Sequence, residues 1–380
     1  MSAEATSHLA AALIASAQWI ASAAADLPSE RTDLTAARHS AAKVAFLSNP
    51  ASYADHPSRV DTIETHFAWI FLAGARAYKL KKPTHLRGAD WRTATAREHA
   101  CREELRLNRQ LSAPTYLEVE PLIETPAGFR IGGEGRAVDW LVVMRRLDER
   151  RMLKSVLTTQ ALTRSDLDAV LEFLVQFYRS RSPLPFTPET YLRRLTARME
   201  EALSALQRKD VGLPANEIDP VASGLRTTFL FLRSQLTERA TRHIVEAHGD
   251  LRAEHIYLGP PVQIIDALEV YADLRMLDTA EEVAMLALEC ERPATHWAPA
   301  YLRARYRRLA ADTCSDELFE FYTALRAITQ AKLAIWHLDD PQQCPDPLPW
   351  RERALAAATT ALRHCGAAMP RTGEGEVAQG

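Results

Sequence analysis

Hydrophobic and polar positions divide the chain into a shorter strand-rich part and a longer helical part. Residues 60–72 are rich in β-branched and aromatic side chains, Ala73-Gly74 forms a turn, and residues 75–82 resume in extended form, which is typical of two strands joined by a turn. A helical pattern follows at residues 93–111. Three further strand patterns come after it at residues 116–123, 129–131 and 140–144, with Gly132-Gly133 as a turn. This part is therefore predicted to be a small sheet with one helix.

From about residue 150 onward the pattern is helical, with one interruption. Thr163 and Asp166 have capping-box spacing and open a helix that runs to about Tyr178. Further helices are predicted at residues 191–209, 221–242, 279–291, 298–311, 316–338 and 350–365. Two more precede the sheet, at residues 32–47 and within the Ala-rich residues 9–25. The latter segment is short for a membrane span and lacks the basic start of a signal peptide, so we interpret it as a docking helix.

The interruption is a hairpin pattern that carries two carboxylates. His248-Gly249-Asp250 ends an apolar approach, Gly259-Pro260-Pro261 forms a turn, and the β-branched run Ile264-Ile265 leads to Asp266. Two strands joined by a tight turn would bring Asp250 and Asp266 to the same end of the hairpin. A pair of acids in that arrangement suits a divalent cation and a phosphoryl group.

Composition narrows the class of protein without identifying its chemistry. The chain has 380 residues, 47% hydrophobic and 25% charged, which is typical of a globular protein with one large two-lobed domain or two ordinary ones. The net charge of −3 favours neither nucleic acid nor an anionic membrane as a partner. The five cysteines are scattered without a Cys-x-x-Cys pair, so we expect reduced thiols in the cytoplasm rather than a zinc site. The sequence does not specify the oligomeric state.

The order of these parts resembles that of kinases: a sheet with a lysine, a helix with a glutamate, and a helical lobe with two acids on a hairpin. His248-Gly249-Asp250 is similar to the motif of the aminoglycoside-phosphotransferase and choline-kinase-like branch. Four segments resemble, more narrowly, an uncharacterised bacterial family of phosphotransferase-like proteins. These segments are Ile63-Glu64-Thr65-His66, Tyr78-Lys79-Leu80-Lys81-Lys82-Pro83, Glu103-Glu104-Leu105-Arg106-Leu107-Asn108-Arg109 and Met144-Arg145-Arg146-Leu147. Some members carry an additional P-loop kinase domain, which we expect to be absent because the sequence has no Gly-x-x-x-x-Gly-Lys-Ser/Thr.

The resemblance extends from about residue 40 to residue 340 and implies a fold. That fold is α+β, a two-lobed protein-kinase-like fold with a small antiparallel sheet lobe and a larger helical lobe. The expected divisions are residues 1–59 as an N-terminal helical cap, 60–146 as a small nucleotide-binding lobe, 147–345 as a helical catalytic and substrate lobe, and 346–380 as a C-terminal helix with a frayed tail.

The resemblance also implies roles for the residues of the hairpin. Asp250 resembles the catalytic base, which accepts the proton of an acceptor hydroxyl, and Asp266 resembles the acid that holds Mg²⁺ between the β- and γ-phosphates. Arg252 lies where kinases keep a cation near the transferring phosphate, and His248 would order the loop by hydrogen bonding. His255 departs from the pattern, which has Asn at that position. Because neutral imidazole suits softer metals better than Mg²⁺, weak binding of one metal, a preference for Mn²⁺, slow catalysis or a loop-holding hydrogen bond are all open.

On the sheet side, Lys79 resembles the strand lysine that contacts the α- and β-phosphates. Lys81 lies on the same face by the period of two and is the alternative. Glu104 resembles the helix glutamate that pairs with this lysine, and Glu103 is its alternative. Glu269 could assist the metal.

The nucleotide base would be bound by a small residue and by backbone. Ala77 shares the face of the lysine and leaves room for adenine, and residues 142–145, including Val143 and Met144, correspond to the hinge that binds the base through its backbone. No glycine-rich loop precedes the lysine, because Ala73-Gly74-Ala75 holds one glycine only.

We therefore expect an ATP- or GTP-dependent phosphotransferase that acts on a small-molecule hydroxyl with Mg²⁺ or Mn²⁺. Substrate choice is expected to depend on residues 185–245 and on the helices after residue 290, which show no acidic cluster typical of polyamine binding. Two alternatives stay open. One is a nucleotide-binding pseudokinase or regulator, motivated by His255 and the missing glycine loop, and the other is transfer of AMP on the same fold.

Overall fold

The computed structural model describes the backbone of residues 30–65, 67–86, 89–270, 272–339 and 346–369, and their side chains except at 30–37, 85, 86 and 89. The docking helix expected at 9–25, together with His66, Cys344 and the frayed end from 370 onward, lies outside these residues. The described chain consists of two compact units. The first is formed by residues up to 177 together with 248–275, and the second by residues 178–247 and 276 onward. The domain limits expected from the resemblance divide the chain differently and stay a prediction.

A six-stranded antiparallel sheet is the main element of the first unit, with the strand order β1-β2-β3-β8-β6-β7. Its central strand β3 pairs Lys79 with Ile70 of β2 on one side and with Val142 of β8 on the other. Strands β4 and β5 pair only with each other. The strands are β1 (Val60–Glu64), β2 (Ala68–Ala73), β3 (Arg76–Lys81), β4 (His85–Leu86), β5 (Ala89–Asp90), β6 (Tyr116–Thr125), β7 (Gly128–Ile131) and β8 (Ala137–Arg145).

Residues 60–72 do not form the single strand that was expected. They form β1 and β2, because the Thr65 side chain closes a turn between them. Its Oγ1 donates to the carbonyl of Ala68 at 2.9 Å and accepts from the N–H of Ala68 at 3.0 Å. The three consecutive polar residues Glu64-Thr65-His66 interrupt the apolar pattern of the sequence and could have indicated the break. The hairpin between β6 and β7 turns at residues 126–127, and Gly132-Gly133 lie in the bend after β7, where a turn was expected.

One face of the sheet packs against the first described helix, α1. Lys43 of α1 reaches Asp139 of β8 at 2.7 Å, and Arg97 of α2 binds the same carboxylate through two nitrogens, at 2.7 and 2.9 Å. Apolar side chains fill the space around this buried ion triad, among them Leu47, Tyr53, Phe71, Tyr78, Leu80, Leu141 and Val143. Both helices are thereby fastened to the sheet, and the opposite face, which carries Ala77 and Lys79, packs against α2 through Val142 and Cys101.

The helices are close to those expected from the pattern, with one exception. The capping box of α4 is present, because the Thr163 N–H donates to Asp166 at 2.9 Å and the Asp166 N–H donates to Thr163 at 3.2 Å. The exception is residues 221–242, where two helices meet at Leu232. The helices are α1 (Glu30–Leu47), α2 (Ala94–Ser112), α3 (Leu153–Thr158), α4 (Arg164–Arg179), α5 (Pro188–Leu206), α6 (Ala215–Phe231), α7 (Arg233–Arg239), α8 (Ala272–Arg275), α9 (Thr279–Glu289), α10 (Ala298–Ala310), α11 (Asp316–Trp336) and α12 (Leu348–Ala367).

Two short ladders complete the described structure. In the first unit, β10 (Ile256–Tyr257) pairs with β11 (Gln263–Ile264), which is the expected hairpin in a form shorter than the pattern suggested. In the second unit, β9 (Ile244–Glu246) pairs with β12 (Met276–Asp278), a ladder that was not expected. Of the helices in the described residues, none is long and apolar enough to cross a membrane.

Candidate active site

A lysine pair and a glutamate meet on the face of the sheet opposite α1. Lys79 and Lys81 lie on the same face of β3, and Glu104 of α2 points at both. Its Oε1 accepts from the Lys79 ammonium at 2.9 Å, and its Oε2 accepts from Lys81 at 2.6 Å. Glu103, the alternative to Glu104, instead binds Arg106 on the helix surface. The structure therefore brings together the predicted lysine and the predicted helix glutamate.

Asp266 joins this group from the hairpin side. Its Oδ1 accepts from Lys79 at 2.8 Å, and its backbone has φ +63°, a left-handed conformation uncommon for a residue other than glycine. Neighbouring side chains hold this conformation. The Asp266 N–H donates to the Tyr116 hydroxyl at 3.1 Å, and the N–H of Ala267 donates to the amide oxygen of Asn108 at 2.9 Å. A strained backbone that is held at several points is typical of functional sites.

The charges of this group stabilise one another. Burial by itself raises the pKa of Asp266, but Lys79 and the other nearby cations outweigh it and hold the pKa well below its ordinary value. The same balance lowers the pKa of Glu104, where Lys79 and Lys81 outweigh burial. For Lys79, burial lowers the pKa, and Asp266 and Glu104 raise it well above its ordinary value. All three groups are therefore charged at neutral pH.

The His-Gly-Asp segment forms a tight loop before β10. Gly249 has φ +89°, and a Cβ there would lie 3.2 Å from the Leu274 carbonyl oxygen, so only glycine fits without strain. His248 fixes the loop with both ring nitrogens. Nδ1 accepts from the Asp250 N–H at 3.1 Å, so Nε2 carries the proton that it donates to the Ile265 carbonyl at 2.8 Å. His248 therefore orders the loop, as the resemblance implied.

Asp250 is almost fully buried and only partly hydrogen-bonded. Its Oδ2 accepts from Arg252 at 3.0 Å, but Oδ1 has no hydrogen-bond partner. Burial raises the pKa of Asp250 to about 7, against the opposing effect of Arg252. Arg252 also pairs with Glu254 at 2.9 Å. A buried carboxylate with one free oxygen and a pKa near neutrality has the properties of a general base.

His255 lies between the two aspartates. Its Nδ1 donates to the backbone carbonyl of Asp250 at 2.7 Å, and its Nε2, which then carries the lone pair, lies 3.7 Å from Oδ2 of Asp266. Nε2 is buried without a hydrogen-bond partner. Burial, with Arg252 nearby, lowers the pKa of His255 to about 4, so the ring is neutral. The imidazole thus holds the loop and also offers a lone pair toward Asp266.

These two atoms fit a divalent cation. Within the described ranges no group of three or more His, Cys, Asp and Glu residues could hold a metal by itself. A metal ion in a phosphotransferase needs fewer protein ligands, because phosphate oxygens and water complete a coordination shell to which the protein gives only one or two ligands. Lys79 occupies Oδ1 of Asp266, which leaves Oδ2 and the His255 lone pair on the same side. The donor set therefore fits a metal that enters together with a phosphorylated ligand.

A cavity of about 120 Å³, part of it open to solvent, lies next to Lys79 within the first unit. Apolar side chains make up most of its wall, and Ala77 and Met144 are among them. Val143 points to the opposite face of the sheet, where it packs in the core beside α1, so only its backbone could contact a ligand. The cavity is lined by Ile70, Leu72, Ala77, Lys79, Thr115, Tyr116, Met144, Arg145, Arg146, Leu147, Glu149, Met152, Glu254 and Ile265.

Several residues of this site were not found from the sequence. Lys81 was expected only as a substitute for Lys79, yet it is buried and pairs with Glu104 and with Glu269 at 2.5 Å. Asn108 lies four residues after Glu104, on the same helix face, and this spacing could have identified it. Tyr116 was read only as the start of a strand, and nothing in its local pattern indicates the hydrogen bond to the hairpin.

Sequence comparisons find relatives of this chain. No family model matches the chain. An uncharacterised protein of Mycobacterium tuberculosis is 31% identical over 332 residues, which cover 84% of this chain and 64% of that protein. An aminoglycoside 3'-phosphotransferase of Streptomyces ribosidificus is 24% identical over 226 residues, or 55% of this chain and 85% of that enzyme. The chain thus spans about two thirds of the length of its curated mycobacterial relative.

A solved structure shows the fold. The choline/ethanolamine kinase family protein from Mesorhizobium loti superposes with a TM-score of 0.55 at 16% identity, covering 86% of this chain and 99% of that one. The expected kinase-like α+β fold is therefore confirmed, and with it the resemblance to the choline-kinase-like and aminoglycoside-phosphotransferase group.

Proposed function

We propose that this chain, which has the kinase-like fold, is a phosphotransferase that moves the γ-phosphate of ATP or GTP to the hydroxyl of a small molecule. One observation carries the proposal. Lys79 bridges Glu104 of α2 at 2.9 Å and Asp266 of the hairpin at 2.8 Å, at the wall of a largely apolar cavity. A strand cation beside a metal-binding acid is the arrangement that positions and neutralises nucleotide phosphates.

The nucleotide would enter the cavity with its base against Ala77 and Met144. Lys79 would leave Asp266 and turn toward the α- and β-phosphates. A backbone donor for the base would come from Leu147 or beyond, since the N–H groups of Arg145 and Arg146 are used by the carbonyls of Thr115 and Ala75. Within the expected hinge, Val143 and Met144 would then contribute surface and carbonyl groups.

Asp266 and His255 would hold the metal, through Oδ2 and Nε2. When bound, the metal supplies positive charge to the β- and γ-phosphates and neutralises the charge that develops in transfer. Asp250 would accept the proton of the acceptor hydroxyl and orient its oxygen in line with the γ-phosphate. His248 keeps the loop in shape, and Arg252 would stabilise charge on the transferring group.

A nucleotide-binding regulator is the second candidate, and two observations favour it. His255 stands where the resembled family has an amide ligand, and the turn between β1 and β2 is closed by Thr65 rather than by glycines. A regulator would bind nucleotide and metal without turnover. Transfer of AMP, the third possibility, would differ only in the group found on the product.

We place the activity in the cytoplasm, where nucleotide is abundant and thiols stay reduced. Cys101, Cys290, Cys314 and Cys365 are buried and free, in keeping with that location.

The test is incubation of the full chain with ATP or GTP and Mg²⁺ or Mn²⁺, followed by ³¹P NMR and mass spectrometry of the products. The proposal predicts a diphosphate nucleotide and phosphate, with faster turnover when an acceptor is supplied. Asp266→Asn is expected to abolish the metal-dependent rise of the Tm with nucleotide. Binding without turnover under every condition supports the regulator, AMP on the product supports AMP transfer, and absence of nucleotide binding overturns all three.

A further inference from the structure

Two lysines share one buried glutamate, although a single lysine is enough for the proposed phosphate contact. The Glu104 side chain is fully buried, and each of its oxygens accepts from a different ammonium. Lys79 lines the cavity and its side chain is 14% exposed, whereas Lys81 does not line it and is 1% exposed. Lys81 therefore cannot reach a ligand in the cavity without a rearrangement of the strand.

If Lys79 were the only cation paired with Glu104, it could not leave that buried carboxylate without a large cost in free energy. If it turned toward the phosphates of a ligand, it would weaken its pairing with Glu104, and an uncompensated charge in the interior is costly. Lys79 also forms a second ion pair, with Asp266 at 2.8 Å. Nucleotide binding would have to overcome both interactions, unless another cation kept Glu104 neutralised.

We propose that Lys81 is this cation: a positioning residue that neutralises Glu104, so that Lys79 is released to bind the phosphates of the nucleotide. The inference rests on the proposed function and deepens it. Lys81 lies within hydrogen-bonding distance of Glu104 at 2.6 Å and of Glu269 at 2.5 Å, and its ammonium lies 4.8 Å from the centre of the Trp91 ring. These contacts keep it fixed while Lys79 moves.

Lys81 also connects α2 with the segment that carries Asp266, because Glu269 lies three residues after that aspartate. Asn108 makes a parallel connection, from its amide to the Ala267 N–H at 2.9 Å and to the Glu104 carbonyl at 2.9 Å. The metal-binding acid is thereby held without help from Lys79. Lys81 therefore fixes the carboxylates, and Lys79 contacts the ligand.

The experiment measures the Kd of a fluorescent nucleotide, mant-ATP with Mg²⁺ or Mn²⁺, for variants of the full chain. Lys81→Met is expected to weaken binding about tenfold or more, although this side chain does not touch the ligand. Removing the buried charge should restore affinity, so Lys81→Met/Glu104→Gln is expected to bind within about threefold of Glu104→Gln. Lys81→Arg, which keeps the charge, should bind close to the wild type. A lysine that only supported the fold would lower the free energy of unfolding without changing the Kd of the folded chain, so urea unfolding is measured on the same variants.

Lys82→Met is the matched control. This neighbouring lysine pairs with the exposed Glu64 at 2.6 Å and points to the other face of the strand, so its removal should leave the Kd unchanged. Should Lys81→Met not fold, Glu104→Gln and the double variant carry the comparison by themselves, and a tenfold difference between them overturns the proposal.

The outcomes separate this inference from the proposed function. Wild-type chain that fails to bind mant-ATP with either metal contradicts the proposed function. Wild-type binding that Lys81→Met leaves within twofold contradicts only the role of Lys81. The same holds if Lys81→Met weakens binding and Glu104→Gln does not relieve the loss.

Discussion

Two buried charge networks, one in each unit of the chain, differ in how completely they are hydrogen-bonded. In the second unit, Arg239 lies between Asp278 and Asp312. Both oxygens of Asp278 and both oxygens of Asp312 accept at least two hydrogen bonds, from Arg239, from the hydroxyls of Tyr306 and Tyr322 and from backbone N–H groups. Nothing in this network is left for a ligand to complete.

The network of the first unit is incomplete. Oδ1 of Asp250 and Nε2 of His255 are buried without hydrogen-bond partners, and Nε2 lies 3.7 Å from Oδ2 of Asp266, the oxygen that Lys79 leaves free. A buried polar atom without a hydrogen bond costs about 1–3 kcal/mol, so each such atom needs a physical reason, and binding or catalysis is one such reason. Both networks are rich in buried charge, and the candidate site differs from the Arg239 network in having unsatisfied buried atoms.

The largest effect on folding is expected from breaking the complete network. Arg239→Ala leaves Asp278 and Asp312 buried without their shared cation, which should lower the free energy of unfolding by about 3–5 kcal/mol. Urea denaturation followed by circular dichroism measures it. Arg226→Ala is the control, because its pair with Glu200 is exposed and should be worth less than about 1 kcal/mol. Equal losses for the two variants would mean that the buried network does not stabilise the fold.

A smaller effect, about tenfold in relative affinity, is expected from His255→Asn. Imidazole favours borderline metals and an amide oxygen favours hard ones, so the variant should shift the preference from Mn²⁺ toward Mg²⁺ by about tenfold. Competition between the two metals, followed by the EPR signal of free Mn²⁺ in the presence of ADP, measures the ratio. Nitrogen modulation of the bound Mn²⁺ signal should be present in the wild type and lost in the variant. Without that modulation in the wild type, His255 is not a ligand.

The smallest effect on the free energy of unfolding is expected at His364, which lies between two acids of the second unit. His364 donates toward Glu320 at 2.5 Å and toward Glu291 at 3.0 Å. Burial by itself lowers the pKa of His364, but hydrogen bonds to the two carboxylates outweigh it and raise the pKa above its ordinary value of 6.5. A group whose pKa is raised in the folded state contributes its full stabilisation of the fold at pH values below its unfolded-state pKa. That contribution is lost as the pH rises through the folded-state pKa.

His364→Gln should therefore reduce the free energy of unfolding by about 1 kcal/mol at pH 6 and by less at pH 9. Urea unfolding at the two pH values measures the difference. Arg363→Gln removes an exposed pair with the same Glu291 and serves as the control, because its effect should not change with pH. A loss for His364→Gln that grows toward pH 9 would contradict the assigned charge state.

The sequence was most informative where periodicity and motif spacing act together. The helices and the capping box at Thr163 follow from spacings along the chain, whereas the meeting of Lys79, Glu104 and Asp266 was expected from the resemblance alone. The ladder of β9 and β12 could not be predicted, because strands of three residues carry no recognisable period. The role of Lys81 could not be predicted from the sequence either. The two-residue period of a strand places Lys81 on the same face as Lys79 but does not show which of the two side chains is buried.

The most direct test of the account is a paired measurement on Asp250→Asn, of turnover and of the free energy of unfolding. As the base, Asp250 should contribute about 10²–10⁴-fold to turnover, so phosphoryl transfer to an acceptor should fall by that factor. Because the change removes a buried charge with an unpaired oxygen, the variant should be as stable as the wild type or more stable by about 1–2 kcal/mol. Turnover that stays within about tenfold of the wild type, or a loss of stability like that of Arg239→Ala, would contradict the central claim that this carboxylate is kept incompletely bonded for catalysis.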